Sequence, residues 1–275
     1  MKNKNHSFYS KLISDNQLYI MGILNVTPDS FSDGGKFNNI NSATEHALEM
    51  IEAGADIIDV GGESSRPGAV KVSIDEEIKR TIPTIQNIIT EKPNSIISID
   101  TTKPEVAEAA LESGALIIND ISGLSDNKMI DVVKKYNATL VIMHMQGKPR
   151  TMQDNPTYKN VVEDVFNYLD VKIKYVKENG VHSIIVDPGI GFGKSLNHNY
   201  ELLKNLTNFQ KLETPLLIGV SRKSLIGKSL NLEVNERDIA TIILETDAVN
   251  KGAKIIRTHN VENGVQLKKL HQLLN

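Results

Sequence analysis

Short apolar segments recur along the chain, and each runs directly into a polar residue. They are rich in Ile, Val and Leu and are apolar throughout, which is typical of parallel strands buried on both faces. The segments are Tyr19 to Val26, Ala55 to Val60, Ser95 to Ile99, Ala115 to Ile118, Thr139 to Met143, Ser183 to Val186, Pro215 to Val220 and Ala253 to Ile256. The pattern predicts eight parallel strands with a polar group at the end of each.

Segments of helical period separate the predicted strands. Clear examples are Ala43 to Ala53 and Glu105 to Ser113. Several of these segments end in a Gly immediately before the next strand, where Gly is the expected residue for a left-handed helix terminus. These glycines are Gly54, Gly114, Gly180 and Gly252. The chain therefore alternates strand and helix in regular order.

Eight strand–helix units in 275 residues have the length and order of a (β/α)8 TIM barrel, whose active sites form where the C-terminal strand ends meet the following loops. A doubly wound open sheet shares the local pattern. It needs no eighth strand, however, and would spread the polar strand ends along one edge. The sequence predicts an α/β fold, a single (β/α)8 barrel domain over residues 1–275, with residues 1–17 as a frayed polar lead-in.

Composition excludes several classes of partner and location. Hydrophobic residues make up 40% of the chain, which is enough for one large core, and no Gly/Ser-rich or Pro-rich linker divides it. A net charge of −3 without a basic cluster argues against nucleic acid. The absence of Cys excludes disulfides and thiolate chemistry. With no signal peptide and no apolar segment of membrane-spanning length, we expect a cytoplasmic protein.

Two loops that follow predicted strands have unusual compositions. The first reads NVTPDSFSDGG and carries Phe31 between a Pro and a Gly pair, which suits a mobile lid, although the composition alone also fits a solvated turn. The second reads GGESSRPGA and carries Arg66 beside Pro67. A guanidinium on such a stiffened turn suits a carboxylate or phosphate. Both loops leave the end of the barrel where an active site is expected.

Polar groups at three further strand ends lack an obvious structural role. Thr102 with Glu105 has the spacing of a capping box, which leaves Asp100 without a capping function. Asn119 and Asp187 follow runs of Ile and Val, where an unpartnered polar group costs about 1–3 kcal/mol. Two carboxylates and one amide suit the donor and acceptor edge of a heterocycle such as a pterin. The same three groups could instead hold a divalent metal.

Basic residues gather at the last two strand ends. The segment GVSRKSLIGKS places Arg222, Lys223 and Ser224 where a strand feeds a helix, and RTHN adds Arg257 and His259. Helix N-terminal amides with cations form an anion site, and barrel enzymes often bind phosphate after strands seven and eight. We therefore expect a divided rim, with acids and amides on one side and cations on the other.

Long motifs in a fixed order closely resemble those of the dihydropteroate synthase family of pterin-binding enzymes, over nearly the whole chain. They are MGILNVTPDSFSDGG, GGESSRPGA, SIDTTKPEVAEAAL, IINDISG, MHMQG, VDPGIGFGK, GVSRKSLIG and IIRTHNV. The resemblance implies a (β/α)8 transferase of folate biosynthesis that condenses 6-hydroxymethyl-7,8-dihydropterin diphosphate with p-aminobenzoate. The products would be 7,8-dihydropteroate and pyrophosphate. It also implies a Mg²⁺ cofactor, sulfonamides as competitive inhibitors, and a homodimer.

The resemblance also implies roles for matched residues. Asn25 would contact Mg²⁺ and the diphosphate. The pterin ring would be held by Asp100, Asn119, Met143, Asp187 and Lys223, and the diphosphate by Arg257 and His259. The p-aminobenzoate pocket would contain Phe31, Arg66, Pro67 and Ser224, and Ser65 and Thr258 complete the substrate-binding set. The expected catalytic residues are Asp187, Lys223, Arg257 and His259.

Three positions depart from the family pattern. Ser65 stands where Thr is usual, and Thr258 and Asn260 replace Val and Asp. None of these changes deletes a central functional group, so we expect activity to be retained and affinity for p-aminobenzoate and sulfonamides to be affected.

The sequence also allows three other functions. A pterin-binding methyltransferase module would hand a methyl group to a corrinoid partner, and it would not need the cationic strand ends. A Schiff-base aldolase would use Lys223 as its nucleophile, with Arg222 lowering the pKa of that amine. The third is a catalytically silent pterin-binding paralogue.

Overall fold

Eight parallel strands pair in chain order, and the last pairs with the first to close a barrel. A computed structural model describes residues 2–27, 36–65, 68–147 and 151–274. In these ranges the strands are β1 (Tyr19–Asn25), β2 (Ile57–Gly61), β3 (Ile96–Asp100), β4 (Ile117–Asp120), β5 (Thr139–Met143), β6 (Ile184–Asp187), β7 (Leu216–Ile218) and β8 (Ala253–Thr258). The predicted barrel is confirmed, and the open sheet is excluded because β8 pairs with β1.

After β1, helices alternate with the strands as the sequence predicts. Over the described ranges they are α1 (Lys2–Ser14), α2 (Lys36–Ala53), α3 (Ile74–Glu91), α4 (Pro104–Glu112), α5 (Lys128–Tyr136), α6 (Val161–Glu178), α7 (Leu196–Lys204), α8 (Ser224–Leu230), α9 (Asp238–Asn250) and α10 (Val261–Leu274). Short 3-10 helices cover Leu206–Leu212 and Val234–Glu236. None of the helices in the described part of the chain combines the length and apolar character needed to cross a bilayer.

The helix boundaries confirm most of the predicted start and stop signals. The four glycines that precede strands all have a positive φ, from 83° to 109°. Ser73 caps α3, because its hydroxyl accepts a hydrogen bond from the Glu76 N–H at 3.2 Å. The predicted Thr102–Glu105 capping box is wrong: the N-cap of α4 is Lys103, which makes no side-chain cap. Pro104 starts this helix instead, since its fixed φ suits the first turn and it has no N–H to satisfy.

The N-terminal segment is a helix that closes one end of the barrel, so the prediction of a frayed lead-in is wrong. Phe8 and Leu12, one turn apart on α1, are buried within an apolar cluster formed by residues from the barrel strands. The Tyr9 hydroxyl donates to the Ile184 carbonyl at 3.0 Å. Burying each apolar side chain stabilises the fold by about 1.5–3 kcal/mol. The spacing of four residues between Phe8 and Leu12 indicates a helix with one buried face, but the polar composition of the segment obscures this pattern.

Candidate active site

Polar side chains from four strands meet at the C-terminal mouth of the barrel. Arg257 of β8 donates through Nε to Asp59 Oδ2 at 2.7 Å and through Nη2 to Asp100 Oδ2 at 2.9 Å. Asn119 Nδ2 donates to the same Asp59 oxygen at 2.9 Å. Closure of the barrel makes this possible, because β8 lies beside β1 and Arg257 reaches across β1 to β2 and β3. We call these four residues the Arg257 network.

The predicted division of the rim into an acidic side and a cationic side is wrong. Arg257 lies among the acids, because a guanidinium at this depth requires carboxylate partners to offset its loss of hydration. Burial opposes its charge, but Asp59 and Asp100 outweigh that effect and raise the pKa of Arg257. Acidic and basic groups are therefore interleaved around the mouth.

Asp59 is a site residue that the sequence-based set omits. Its side chain is fully buried, and one carboxylate oxygen accepts from both Arg257 and Asn119. It lies inside an apolar strand between Ile58 and Val60. A carboxylate in such a run is itself the signal, since a buried charge requires a partner.

The carboxyl group of Asp100 has a pKa close to neutral pH. Burial raises its pKa to about 7, with Arg257 opposing the shift and Asp59 and Glu77 adding to it. A carboxyl group in this state can accept a hydrogen bond from, or donate one to, the edge of a bound heterocycle.

Asp187 and Lys223 attract each other electrostatically at the mouth. Burial raises the pKa of Asp187, and Lys223 partly offsets this effect. The Asp187 carboxylate also accepts from the Gly189 N–H at 2.7 Å. Burial lowers the pKa of Lys223 to about 8, against the pull of Asp187 and with help from Arg257. The Lys223 ammonium donates to the Ile190 carbonyl and lies 4.7 Å from the centre of the Phe192 ring.

The loop after β6 holds Lys223 in place, and its shape requires glycine. Gly189 and Gly191 have φ of 69° and 88°. A Cβ on Gly189 would lie 1.9 Å from the His144 carbonyl oxygen, and one on Gly191 would lie 3.0 Å from Lys223 Cδ. The loop backbone therefore passes so close to His144, after β5, and to Lys223, after β7, that only residues without a Cβ fit at these two positions.

Lys194, at the end of the same loop, is a second residue that the sequence-based set omits. Its side chain is buried, and its Nζ contacts His144 Nδ1 at 3.0 Å and the carbonyls of Gly189 and Phe192 at 2.9 Å each. Burial lowers the pKa of Lys194 well below its ordinary value. Burial and the adjacent Lys194 together lower the pKa of His144 to about 3. The pair fixes the loop to the end of β5.

We expect acid to destabilise the protein partly through His144. Its pKa is about 3 in the folded chain and near 6.5 when unfolded, so unfolding takes up a proton between these values and the free energy of unfolding falls as the pH falls from about 6.5 to about 3. The slope from one such group approaches about 1.4 kcal/mol per pH unit. Urea unfolding from pH 4 to 7 should show a shallower slope for His144→Asn than for the wild type. The exposed His182→Asn is the control, and equal slopes for both variants would contradict this expectation.

The remaining predicted residues lie near the mouth in different settings. Asn25 ends β1 beside Gly61, and Met143 ends β5 in register with Asp187. His259 donates its backbone N–H to the Ser221 hydroxyl at 3.1 Å, and its ring Nδ1 lies 3.0 Å from the same oxygen. Ser65 is partly buried, and Ser224 is exposed at the first turn of α8. Phe31, Arg66 and Pro67 lie outside the described residues.

Thr258 and Arg222 are placed differently from the sequence-based prediction. The Thr258 side chain is fully buried, with its hydroxyl 3.4 Å from the Ser221 hydroxyl, so it does not open onto the mouth. Burial raises the pKa of the nearby Glu245 to about 8, and Thr258 only partly opposes that shift. Arg222 donates to both oxygens of Asp238, at 2.6 and 2.8 Å, and therefore leaves the predicted anion corner. The Arg222 guanidinium lies on a partly exposed turn, and the Asp238 carboxylate is the acceptor within its reach.

The Asn260 departure has a structural reason. Its Nδ2 donates to Asp238 Oδ2 at 3.0 Å, and that oxygen also accepts from Arg222. Aspartate at position 260 would set two carboxylates against each other, whereas the amide supplies a donor.

Asn25 is the residue that the family resemblance assigns to a magnesium ion. Over the described residues, no group of three or more His, Cys, Asp or Glu side chains has metal-binding geometry. Of the three groups that the alternative hypothesis assigns to a metal, Asp100 and Asn119 are engaged within the Arg257 network, and Asp187 accepts from the Gly189 N–H. Asn25 offers a neutral amide oxygen at the strand end, which fits an ion that takes most of its oxygen ligands from phosphate and water.

The barrel and its mouth define an enzyme site for a polar heterocycle beside an anionic group. The chain belongs to the pterin binding enzyme family, whose model matches residues 21–259. Its relatives include the dihydropteroate synthase of Escherichia coli K12, which is 45% identical over 254 residues, or 92% of this chain and 90% of the relative. The Clostridium beijerinckii enzyme of the same name is 48% identical over 260 residues, or 93% and 94%.

Solved structures agree with the sequence relatives. A Yersinia pestis dihydropteroate synthase with a sulfonamide drug complex has a TM-score of 0.88 at 40% identity, covering 94% of each chain. The Xanthomonas albilineans dihydropteroate synthase in complex with 7,8-dihydropteroate has a TM-score of 0.85 at 35% identity, also covering 94% of each. The predicted family, fold and class of transferase are therefore confirmed.

Proposed function

We propose that this chain condenses 6-hydroxymethyl-7,8-dihydropterin diphosphate with p-aminobenzoate to give 7,8-dihydropteroate and pyrophosphate. The observation that carries the proposal is the interleaved set of charges at the barrel mouth. The Arg257 network lies near Asp187 and Lys223, so this end of the barrel offers a polar edge for a ring and cations for a leaving group. Relatives crystallised with 4-aminobenzoic acid and with 7,8-dihydropteroate support the choice of substrates.

Recognition of the pterin falls to the carboxyl and amide groups. Asp187 and Asp100 have raised pKa values, and they would face a ring that carries both donors and acceptors. Asn119 is fixed by Asp59, and the Met143 side chain is apolar and buried at the neighbouring strand end. Because burial makes unpaired polar groups costly, a ring lacking the matching edge should bind much more weakly.

Departure of pyrophosphate is assigned to the cationic groups. Arg257, His259 and Lys223 would bind and orient the diphosphate, and Asn25 would hold the magnesium ion. When bound, that ion supplies positive charge to the phosphate oxygens. Breaking the bond between the methylene carbon and oxygen leaves a positive charge on the dihydropterin, which the Asp187 carboxylate would offset.

Attack by p-aminobenzoate completes the proposed reaction. Its amine forms the new carbon–nitrogen bond and then releases a proton, so no covalent enzyme intermediate is needed. Ser65 and Ser224 lie at the rim, where the second substrate would enter. Pocket roles for Phe31, Arg66 and Pro67 stay predictions from the family resemblance. We also propose that sulfonamides compete here, as the Yersinia pestis complex suggests.

A homodimer is part of the proposal. Ile239 and Ile243, one turn apart on α9, are 75% and 62% exposed, and Leu230 and Val234 are also exposed. An apolar face of this kind suits contact with a second copy. Analytical ultracentrifugation would show a monomer if this proposal is wrong. The cytoplasmic location stays a prediction from sequence.

The decisive test is product formation by the wild-type protein with magnesium, with and without p-aminobenzoate. We expect dihydropteroate and pyrophosphate in equal amounts, with pyrophosphate release accelerated by the second substrate. Binding of the pterin diphosphate without product would instead favour the silent paralogue. Binding of a pterin with transfer of a methyl group to a corrinoid protein would favour the methyltransferase. Borohydride trapping of a carbonyl substrate on Lys223 would reveal the aldolase.

A further inference from the structure

We propose that Asp238, at the start of α9, is a positioning residue that ties the end of β7 to the end of β8 and so fixes the diphosphate site. This inference rests on the proposed function for the substrate, although the contacts themselves do not. Asp238 lies outside the Arg257 network and is not part of the mechanism given above. It acts through two neighbours, Arg222 and Asn260.

The first tie is to the residue that precedes Lys223. Arg222 donates through Nε and Nη2 to the two oxygens of Asp238, at 2.6 and 2.8 Å. Its backbone has φ of 54°, a left-handed conformation that is unfavourable for a side chain of this size. The Arg222 N–H donates to the Thr241 hydroxyl at 3.1 Å, and the Arg222 carbonyl accepts from Arg237 at 3.0 Å. Contacts to α9 and its N-terminal flank therefore hold this turn in a strained conformation.

The second tie is to the residue that follows His259. Asn260 Nδ2 donates to Asp238 Oδ2 at 3.0 Å, while Asn260 Oδ1 accepts from the Asn263 N–H at 3.1 Å at the start of α10. One carboxylate oxygen thus receives donors from both strand ends. The Asp238 carboxylate therefore fixes the position of the turn that carries Lys223 relative to the strand end that carries His259.

The contribution of Asp238 is geometric more than stabilising. The Arg222–Asp238 pair is partly exposed, and exposed ion pairs stabilise folded proteins little. Arg222 and, less strongly, Asn260 and His259 lower the pKa of Asp238, so it stays charged at neutral pH. In contrast, a displacement of about 1 Å in a positioned group can cost about a hundredfold in rate. Loss of the tie should therefore affect substrate handling more than folding.

The test compares Asp238→Asn with the wild type in steady-state kinetics and in calorimetric binding of inorganic pyrophosphate with magnesium. We expect KM for the pterin diphosphate to rise about tenfold and pyrophosphate affinity to fall by a similar factor, since the site loses its fixed spacing. KM for p-aminobenzoate should stay within about twofold and the melting temperature should barely change, because the pair is partly exposed. Asp247→Asn is the matched control, since Asp247 is on the same helix and pairs with Lys251 near the surface, away from Arg222 and Asn260.

A charge swap separates positioning from a merely structural effect. Asn260→Asp alone sets two carboxylates against each other and should impair pyrophosphate binding more than tenfold. Adding Asp238→Asn should restore most of the lost affinity. In the double variant the amide at position 238 donates to the carboxylate at position 260, so the hydrogen bond between the two positions is kept with donor and acceptor exchanged. If Asp238→Asn melts too low to assay, the pyrophosphate affinity of Asn260→Asp, which keeps Asp238, decides the same question, and a wild-type affinity in that variant would contradict the proposal.

Two results would overturn the proposal. One is wild-type pyrophosphate affinity in Asp238→Asn, and the other is strictly additive effects in the swap. Failure of the proposed function would look different, because the wild type would then bind pyrophosphate without making product. The binding comparison among variants would still apply in that case.

Discussion

Lys223→Ala is expected to lower kcat/KM for the pterin diphosphate about a thousandfold, or about 4 kcal/mol. The change removes the ammonium that faces Asp187 and touches the Ile190 carbonyl. Without that cation the pKa of Asp187 should rise further, so the carboxylate would no longer offset positive charge on the dihydropterin. Both the ring and the leaving group lose a partner through one substitution.

Steady-state kinetics with a fixed concentration of p-aminobenzoate would measure this loss. Lys211→Ala, an exposed lysine on the Leu206–Leu212 helix, is the control and should behave like the wild type. Lys223→Arg should recover only part of the rate, since a guanidinium cannot pack against Gly191 in the same way. A loss below about tenfold in Lys223→Ala would rule out the central role given to this residue.

Asp59→Asn is expected to damage stability and catalysis together. The carboxylate is fully buried under Arg257, and removing one partner of a buried ion pair typically costs about 3–5 kcal/mol. The replacement amide keeps an oxygen that can accept from Asn119, but it brings no negative charge to compensate Arg257. We expect the free energy of unfolding to fall by about 3 kcal/mol and kcat/KM to fall at least about a hundredfold.

Urea unfolding and kinetics on the same preparation would test both parts. Asp170→Asn is the matched control, because Asp170 pairs with Lys174 at the surface and such pairs contribute at most about 1 kcal/mol. If Asp59→Asn were as stable as Asp170→Asn, Arg257 would have another source of compensation and the described network would not account for its burial.

The barrel was accessible from sequence because its signal is local and repeated. Each strand is a run of apolar residues that ends in or runs into a polar group, and four of the strands are preceded by a glycine with positive φ. The order of elements then leaves few ways to arrange them. Asp100, Asn119, Lys223 and Arg257 could be placed at one mouth for the same reason, since all follow or end parallel strands.

The pairing among these residues was not accessible from sequence. Arg257 finds Asp59 and Asp100 only because closure brings β8 across β1, and no local pattern specifies how far a guanidinium reaches. For Arg222, the sequence suggests a partner that the structure does not support. Adjacent to Lys223 in sequence, it turns to Asp238, so sequence proximity alone assigns it the wrong partner. Helix α1 was missed because polar composition hides its two buried residues.

The interleaved charges also limit how this protein can evolve under an inhibitor. A heritable change that removes the charge of Asp59, Asp100 or Arg257 takes a partner from a buried charge, so fitness falls through folding and turnover at once. Lineages exposed to a drug that competes at the barrel mouth are therefore expected to keep these three residues. Adaptation should instead accumulate in surface loops, or proceed through paired replacements that exchange both partners together.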